Sequence, residues 1–153
     1  MDLNNVYVAD AETDGLYETV SKMHVFSVGW KSDDKWNIKS TNKKEDVEKV
    51  LCNPNNVIVM HNGRRYDKPV LEKIFGFTVT ATIIDSLALA WWLYPTRAKE
   101  GKKFGLAYFG EDYGVPKPKV EDTAWKGIGK DKEDIIEYYE RLDRGKIKLL
   151  DSC

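Results

Sequence analysis

The stretch 7-YVADAETDGL-16 brings Asp10, Glu12 and Asp14 within five positions of one another, directly after the alternating, valine-bearing run 5-NVYVAD-10. The alternation predicts a strand, and Gly15 closes it with a turn. Side chains alternate across a strand, so Asp10 and Glu12 project to the same side if it persists through residue 12. Like charges this close repel, and burial raises the cost of keeping them ionised. The nearest cation downstream is Lys22. Asp14-Gly15 is explained by turn chemistry alone, whereas Asp10 and Glu12 call for a neutralising partner, and a divalent ion with oxygen ligands would serve.

Outward from this stretch, "MHVFSVGW" (23–30) predicts a second strand, and "SDDK" turns it into the arm "WNIKS". "NKKEDVEKVL" (42–51) has helical spacing. "NVIVMHN" (56–62) predicts a buried central strand, and "DKPVLEKIF" (67–75) a helix with proline in its first turn. A short extended piece near 78–83 leads into "IIDSLALAWWL" (83–93), which predicts a strongly apolar helix. "TRAKEGKK" (96–103) is a basic loop, "FGLAYFGEDYG" (104–114) a short helix, 115–130 a Pro/Gly-rich connection and 131–143 a last helix. This order predicts an α/β fold. A three-stranded antiparallel meander carries parallel strands on its first strand, and helices flank the mixed sheet.

Two further acids stand at the edges of the predicted core. Asp67 follows the fourth strand and starts a helix, where it serves as an N-cap, a ligand or both. In the last helix Ile135, Ile136, Tyr139, Leu142, Ile147 and Leu150 share one arc, and Asp143 falls inside it, one turn after Tyr139. An acid on a buried stripe needs an arginine or a metal. Four carboxylates from three separated segments suit a two-metal centre for phosphoryl transfer, whose cations lie roughly 3.5–4 Å apart.

The chain has 153 residues, enough for one domain with a real core, and the whole of it is expected to be a single domain. Its 24 basic residues nearly balance 25 acidic ones, so any nucleic-acid-binding surface must be local. No apolar run approaches the roughly 20 residues of a membrane span. Two cysteines, Cys52 and Cys153, make neither a disulfide framework nor a zinc site, as expected of a cytoplasmic protein.

"DAETDGL", "HNGRRYD" and "YERLD" (139–143) resemble the three motifs of the DEDD 3′–5′ exonucleases, the last in the Tyr-x-x-x-Asp form of the DEDDy group. The proofreading domain of bacteriophage family A DNA polymerases is similar, and there an HNG-x-x-YD motif also precedes an Ile-Asp-(Ser/Thr)-Leu helix, here "IIDSLAL". The resemblance spans residues 6 to 150 and implies an RNase H-like fold with two Mg²⁺ or Mn²⁺ ions. Asp10, Glu12, Asp67 and Asp143 would be the metal ligands, and Tyr139 would orient the attacking water. Thr13 and Leu16 would touch the 3′-terminal nucleotide, and Asn62 would position the strand end. After Asp143 the family usually has small or apolar residues, where this chain has Arg144-Gly145. Tyr138 competes for the tyrosine role, but Leu142, not an acid, lies four residues beyond it.

Cations should ring such a centre. Arg64 and Arg65 adjoin the second motif, while Arg97, Lys99, Lys102 and Lys103 cluster in one loop, with Lys117 and Lys119 beyond. Each is equally a solubilising loop residue. Trp91, Trp92, Tyr94, Phe104, Tyr108 and Phe109 are expected in the core rather than as stacking platforms. The partners implied are single-stranded 3′ ends, DNA before RNA, and a separately encoded polymerase. With no polymerase domain among these residues, the chain is expected to be either a free-standing exonuclease or a cut-out domain, the start at Met1 favouring the former, in the cytoplasm, the host's if phage-encoded. The rival readings are an exoribonuclease of the RNase D or oligoribonuclease type and a non-catalytic nucleic-acid-binding module.

Overall fold

Alternation along the first strand decides how the sheet is built. In a computed structural model, which describes residues 5–116, β1 (Val6–Thr13) buries Ala9 and Ala11 on one face and turns Val8 and Asp10 to the other. It pairs antiparallel with β2 (Met23–Ser32), Asp10 lying opposite Ser27, and β2 pairs antiparallel with β3 (Lys35–Thr41). On its other side β1 pairs in parallel with β4 (Val57–Met60), Val8 opposite Val59. β4 in turn pairs in parallel with β5 (Thr82–Asp85), giving the order β3-β2-β1-β4-β5. The expected meander with parallel strands on its first member is present. β4 is an interior strand, as expected, paired on both sides with Ile58 and Met60 buried, while β1 stands in the middle of the five.

The core forms on the Ala9/Ala11 face. Phe26, Val28, Ile58, Met60 and Ile83 point to it from the sheet, and two helices cover it. The first, α1 (Lys44–Leu51), contributes Val47 and Leu51, and the second, α2 (Asp67–Phe75), contributes Leu71. Phe26, Val47, Ile58 and Leu71 are each fully buried. Burial of a large aliphatic or aromatic side chain is worth roughly 1.5–3 kcal/mol, so this layer anchors the strand that carries the first acidic motif. α2 ends at Gly76, whose φ of +70° is a left-handed cap that glycine adopts without strain.

The run "IIDSLALAWWL" does not form one helix. Ile83, Ile84 and Asp85 complete β5, and the helix α3 (Ser86–Leu93) begins only after Asp85, which caps it by accepting the N–H groups of Leu87 and Ala88. The extended piece expected near 78–83 accordingly becomes a strand over 82–85. A fourth helix, α4 (Leu106–Asp112), follows the basic loop. Among the described residues no helix is long and apolar enough to cross a membrane. The last predicted helix, with Tyr138, Tyr139 and Asp143, and the cations Lys117 and Lys119 lie outside the described residues.

Candidate active site

The first and second acidic motifs meet at the C-terminal ends of β1 and β4, where open α/β sheets hold their ligands. β1 does persist past residue 12, so Asp10 and Glu12 share a face, and its register shifts between Glu12 and Thr13. Such an irregularity re-aims side chains at the end of a strand. Asp67 is 3% exposed, and its Oδ1 accepts the N–H of Ala11 at 3.2 Å. One hydrogen bond therefore joins the second motif to the strand residue between Asp10 and Glu12.

Asp67 is not the N-cap of α2. Tyr66 occupies that position, with no side-chain cap, and the Asp67 carboxyl turns inward to the sheet instead. Burial, then the charge of Asp10 and that of Glu12, push its pKa up to about 7, against the Ala11 hydrogen bond that lowers it. Three carboxyls from two separated segments thus feel one another. Asp10 is exposed and Glu12 half-buried.

Asp14 belongs to the turn. Its carboxylate accepts the Ser21 hydroxyl, the Ser21 N–H at 2.9 Å and the Lys22 N–H at 3.0 Å, and the Ser21 hydroxyl bond foremost holds its pKa down to about 2. We expect Asp14→Ala to cost about 1 kcal/mol, discounted for exposure, and to leave any cleavage rate unchanged. The depressed folded-state pKa makes this a stability present above the ordinary carboxylate value and lost as pH falls toward 2. Urea midpoints of the two proteins should differ at about pH 7 and converge at about pH 2.

The second motif is held in shape by residues to which its sequence alone assigns no role. Asn62 adopts φ +62°, and a Cβ at Gly63 would lie 2.3 Å from the Cβ of Met60, so this turn admits only glycine there. The Asp85 carboxylate accepts the N–H of Asn62 at 3.0 Å and of Arg64 at 3.2 Å, in addition to capping α3. Tyr66 joins the motifs from the other side: its hydroxyl bonds the Thr13 hydroxyl and the Gly15 carbonyl. The signal for Asp85 was present in the sequence, since an aspartate before Ser-Leu in an apolar run is an N-cap pattern. Nothing in the sequence pairs Tyr66 with Thr13.

The expected substrate contacts separate into groups. Leu16 is 71% exposed and open to a base. Thr13 is held by Tyr66, and the Arg64 Nε donates to the Ile83 carbonyl at 3.2 Å, so both are partly committed to the scaffold. Arg65, Lys102 and Lys103 are exposed. Arg97 does not join them. It is buried, ion-paired to Asp112 at 2.6 Å, donates to the Lys103 carbonyl at 2.8 Å and lies 4.3 Å over the Phe109 ring. α4 brings Asp112 to it, a contact that loop composition does not reveal.

The aromatic residues also depart from expectation. Phe104 is buried, but Trp91, Trp92, Tyr94 and Tyr108 are exposed, Trp92 at 78%. An eight-residue helix that is apolar all round can bury only the side that faces the protein.

The donor chemistry fits a hard divalent cation: carboxylate oxygens only, with one carboxyl that burial first, and then neighbouring negative charge, drives toward protonation. Among the described residues no three His, Cys, Asp or Glu side chains are placed to hold an ion together. Asp143, the remaining acid of the expected set, lies outside the described residues.

A mixed five-stranded sheet with four flanking helices among the described residues and acids at the end of its central strand defines an RNase H-like α/β protein. The chain belongs to the RNase_H superfamily, whose model matches residues 7–115. Among solved structures it is similar to Brucella melitensis NrnC with bound Mg²⁺, at 20% identity and a TM-score of 0.53 over 97% of this chain and 79% of that one. It is also similar to E. coli Exonuclease I in complex with a dA16 oligonucleotide, at 12% identity and a TM-score of 0.57 over 95% of this chain. It spans 45% of the length of that Exonuclease I chain. At these identities the likeness is one of fold. No curated protein matches the chain.

Proposed function

We propose that this chain is a metal-dependent 3′–5′ exonuclease of the DEDDy type that releases nucleoside 5′-monophosphates from single-stranded 3′ ends, DNA before RNA, with little sequence specificity. The observation that carries the reading is the Asp67 carboxyl, bonded to the backbone between Asp10 and Glu12 and raised by its burial and then by their charges. A surface turn has no use for such a group, whereas a cation-binding centre does.

Asp10, Glu12, Asp67 and Asp143 would hold two Mg²⁺ or Mn²⁺ ions, which supply charge neutralisation and Lewis acidity at the scissile phosphate. Tyr139 orients the water that attacks phosphorus. The bond to the 3′ oxygen of the preceding nucleotide then breaks, leaving a new 3′ hydroxyl and a free 5′-monophosphate. Leu16 packs on the terminal base, Thr13 and Asn62 steady the strand end, and Arg65 with Arg64, Lys102 and Lys103 offsets backbone charge without reading sequence. A separately encoded polymerase would make this activity a proofreading one, as in the bacteriophage domain that the motifs resemble.

End-labelled DNA and RNA strands incubated with Mg²⁺, with Mn²⁺ and with EDTA test the proposal. Stepwise shortening of the DNA strand from its 3′ end, abolished by EDTA, is the expected result. Faster loss of RNA would reassign the enzyme to the RNase D or oligoribonuclease type. No cleavage under any condition would leave a binding module. The tyrosine is tested separately by single-turnover rates: Tyr139→Phe should lose about 10²-fold, Asp143→Asn more, and Tyr138→Phe almost nothing. Impairment of Tyr138→Phe alone would move the third motif by one residue.

A further inference from the structure

A cavity of about 650 Å³ opens beside the second motif, lined by His61, Asn62, Trp91, Lys102, Lys103 and Phe104 among others. One end is formed by His61 and Asn62, the first residues of the motif that ends at Asp67. β1 and β4 run parallel with Val8 opposite Val59, so Asp10 and His61, each two residues further along, follow at the same end of the sheet. The His61 Nδ1 is engaged with the Ser86 hydroxyl at 3.0 Å, and the Asn62 backbone by Asp85, so this end is built and stiff.

The wall is equally ordered. Trp91 stacks on Phe104 with ring centroids 4.3 Å apart and planes 11° from parallel, yet it remains 56% exposed. One ring face is backed and the other is open. Phe104 is itself wedged edge-on against Phe109, and the buried Arg97 lies against both rings. A large aromatic ring presented to solvent from a rigid backing has the form of a base-stacking platform, since every base offers a π-face.

The rim supplies charge for a polyanion. Lys103 lies 5.2 Å over the Tyr108 ring, and Lys102 pairs with Glu100 at 3.6 Å in an exposed contact that a phosphate can displace. Open walls with lysines on the rim do not suit a small apolar ligand, which wants enclosure.

We propose that this groove holds the unpaired nucleotides on the 5′ side of the scissile bond, one base stacked on the open face of Trp91 and the adjoining phosphates against Lys102 and Lys103. The direction of the strand rests on the nuclease reading of the acids, which sets where its 3′ end lies. Trp91 becomes a substrate-binding residue, and the helix that carries it determines that the strand entering the site is single.

Fluorescence anisotropy of a 5′-fluorescein oligothymidylate about ten nucleotides long, bound to the full chain in EDTA, tests the groove without any cleavage. Trp91→Ala should weaken binding about 5- to 100-fold and Trp91→Phe less. The Lys102→Gln/Lys103→Gln pair should lower the slope of log affinity against log salt by about 1.4. An oligouridylate should show the same Trp91 dependence, and a blunt duplex should bind weakly. Folded Trp91→Ala, with wild-type circular dichroism, that binds the strand as tightly as wild type would overturn the proposal. Should that variant unfold, an unchanged salt slope in the lysine pair, or Trp91-independent duplex binding tighter than that of the single strand, overturns it instead. Wild-type hydrolysis, with Mg²⁺ or Mn²⁺ in place of EDTA, of the p-nitrophenyl ester of thymidine 5′-monophosphate, a single nucleotide with no 5′-side neighbour to stack on Trp91, reports on the cleavage site without the groove. Trp91-dependent binding without hydrolysis keeps the groove and removes the exonuclease, and hydrolysis without Trp91 dependence does the reverse.

Discussion

Asp67→Asn is expected to silence cleavage and, without divalent ions, to make the protein more stable than wild type above about pH 7. The asparagine keeps the shape and can still accept the Ala11 N–H through its Oδ1, but it carries no charge toward Asp10 and Glu12. Asp67 has its folded-state pKa raised from the ordinary 3.8 to about 7. Below the ordinary value the side chain is protonated whether folded or unfolded, and folding is not penalised. Between the two values the unfolded chain releases a proton that the folded one retains, so stability falls as pH rises, and the full penalty stands above about 7. At 1.36 kcal/mol for each of roughly three pH units, the penalty is about 4 kcal/mol. Thermal melts in EDTA should therefore coincide for the two proteins at about pH 4 and separate by several degrees at about pH 8. Mg²⁺ should raise the wild-type Tm and move the variant's far less, because an ion that binds only the folded state stabilises by mass action. The rate should fall by about 10³-fold or more, the several kcal/mol that a metal ligand set supplies. Identical melts at both pH values would mean that Asp67 carries no buried charge, and the site would lose its basis.

Asp85→Ala should cost the fold about 3–4 kcal/mol, the largest loss expected from any single side chain of the second-motif region. Four N–H groups lose their acceptor: Leu87 and Ala88 at the start of α3, and Asn62 and Arg64 in the motif turn. A lost N-cap accounts for about 1 kcal/mol, and the two further bonds to a charged acceptor for about 1.5 kcal/mol or more each, reduced by partial exposure. Asp85→Asn retains an acceptor oxygen and should lose much less. Urea midpoints give the stability. Hydrogen exchange at Asn62, Arg64 and the first turn of α3 should accelerate together, since one carboxylate holds them. A loss under about 1 kcal/mol would show that the turn holds itself.

Much of the sheet was legible because its pattern is local. Two-residue alternation marks β1 and β2, the "SDDK" turn joins β2 to β3, and Asp67-Lys68-Pro69 marks the start of α2. Where one run of apolar residues served two elements, periodicity could not divide it. Ile83, Ile84 and Leu87 read alike along the chain, and only the cap at Asp85 separates strand from helix. The pairing of the first two acids was equally legible, since Asp10 and Glu12 are two apart on a strand.

By itself the sequence determined which residue types are present, the strand-turn-helix order and the three-motif pattern that points to nuclease chemistry. Only the tertiary structure decided what each charged or aromatic side chain is for. Asp14 and Asp67 are both aspartates beside a turn or a helix start. Three hydrogen bonds at the surface hold one near pKa 2, and burial beside two other acids lifts the other to about 7. Arg97 and Lys103 share one basic loop, yet Asp112 and two phenylalanine rings enclose the first while the second stays in solvent. Trp91 and Phe104, both apolar and aromatic, became the exposed and the buried half of one stack. The physical reason is common to all three pairs. Charge state and exposure depend on neighbours brought together from distant parts of the chain, and the energy of a carboxylate or a ring is set by those neighbours rather than by its own identity.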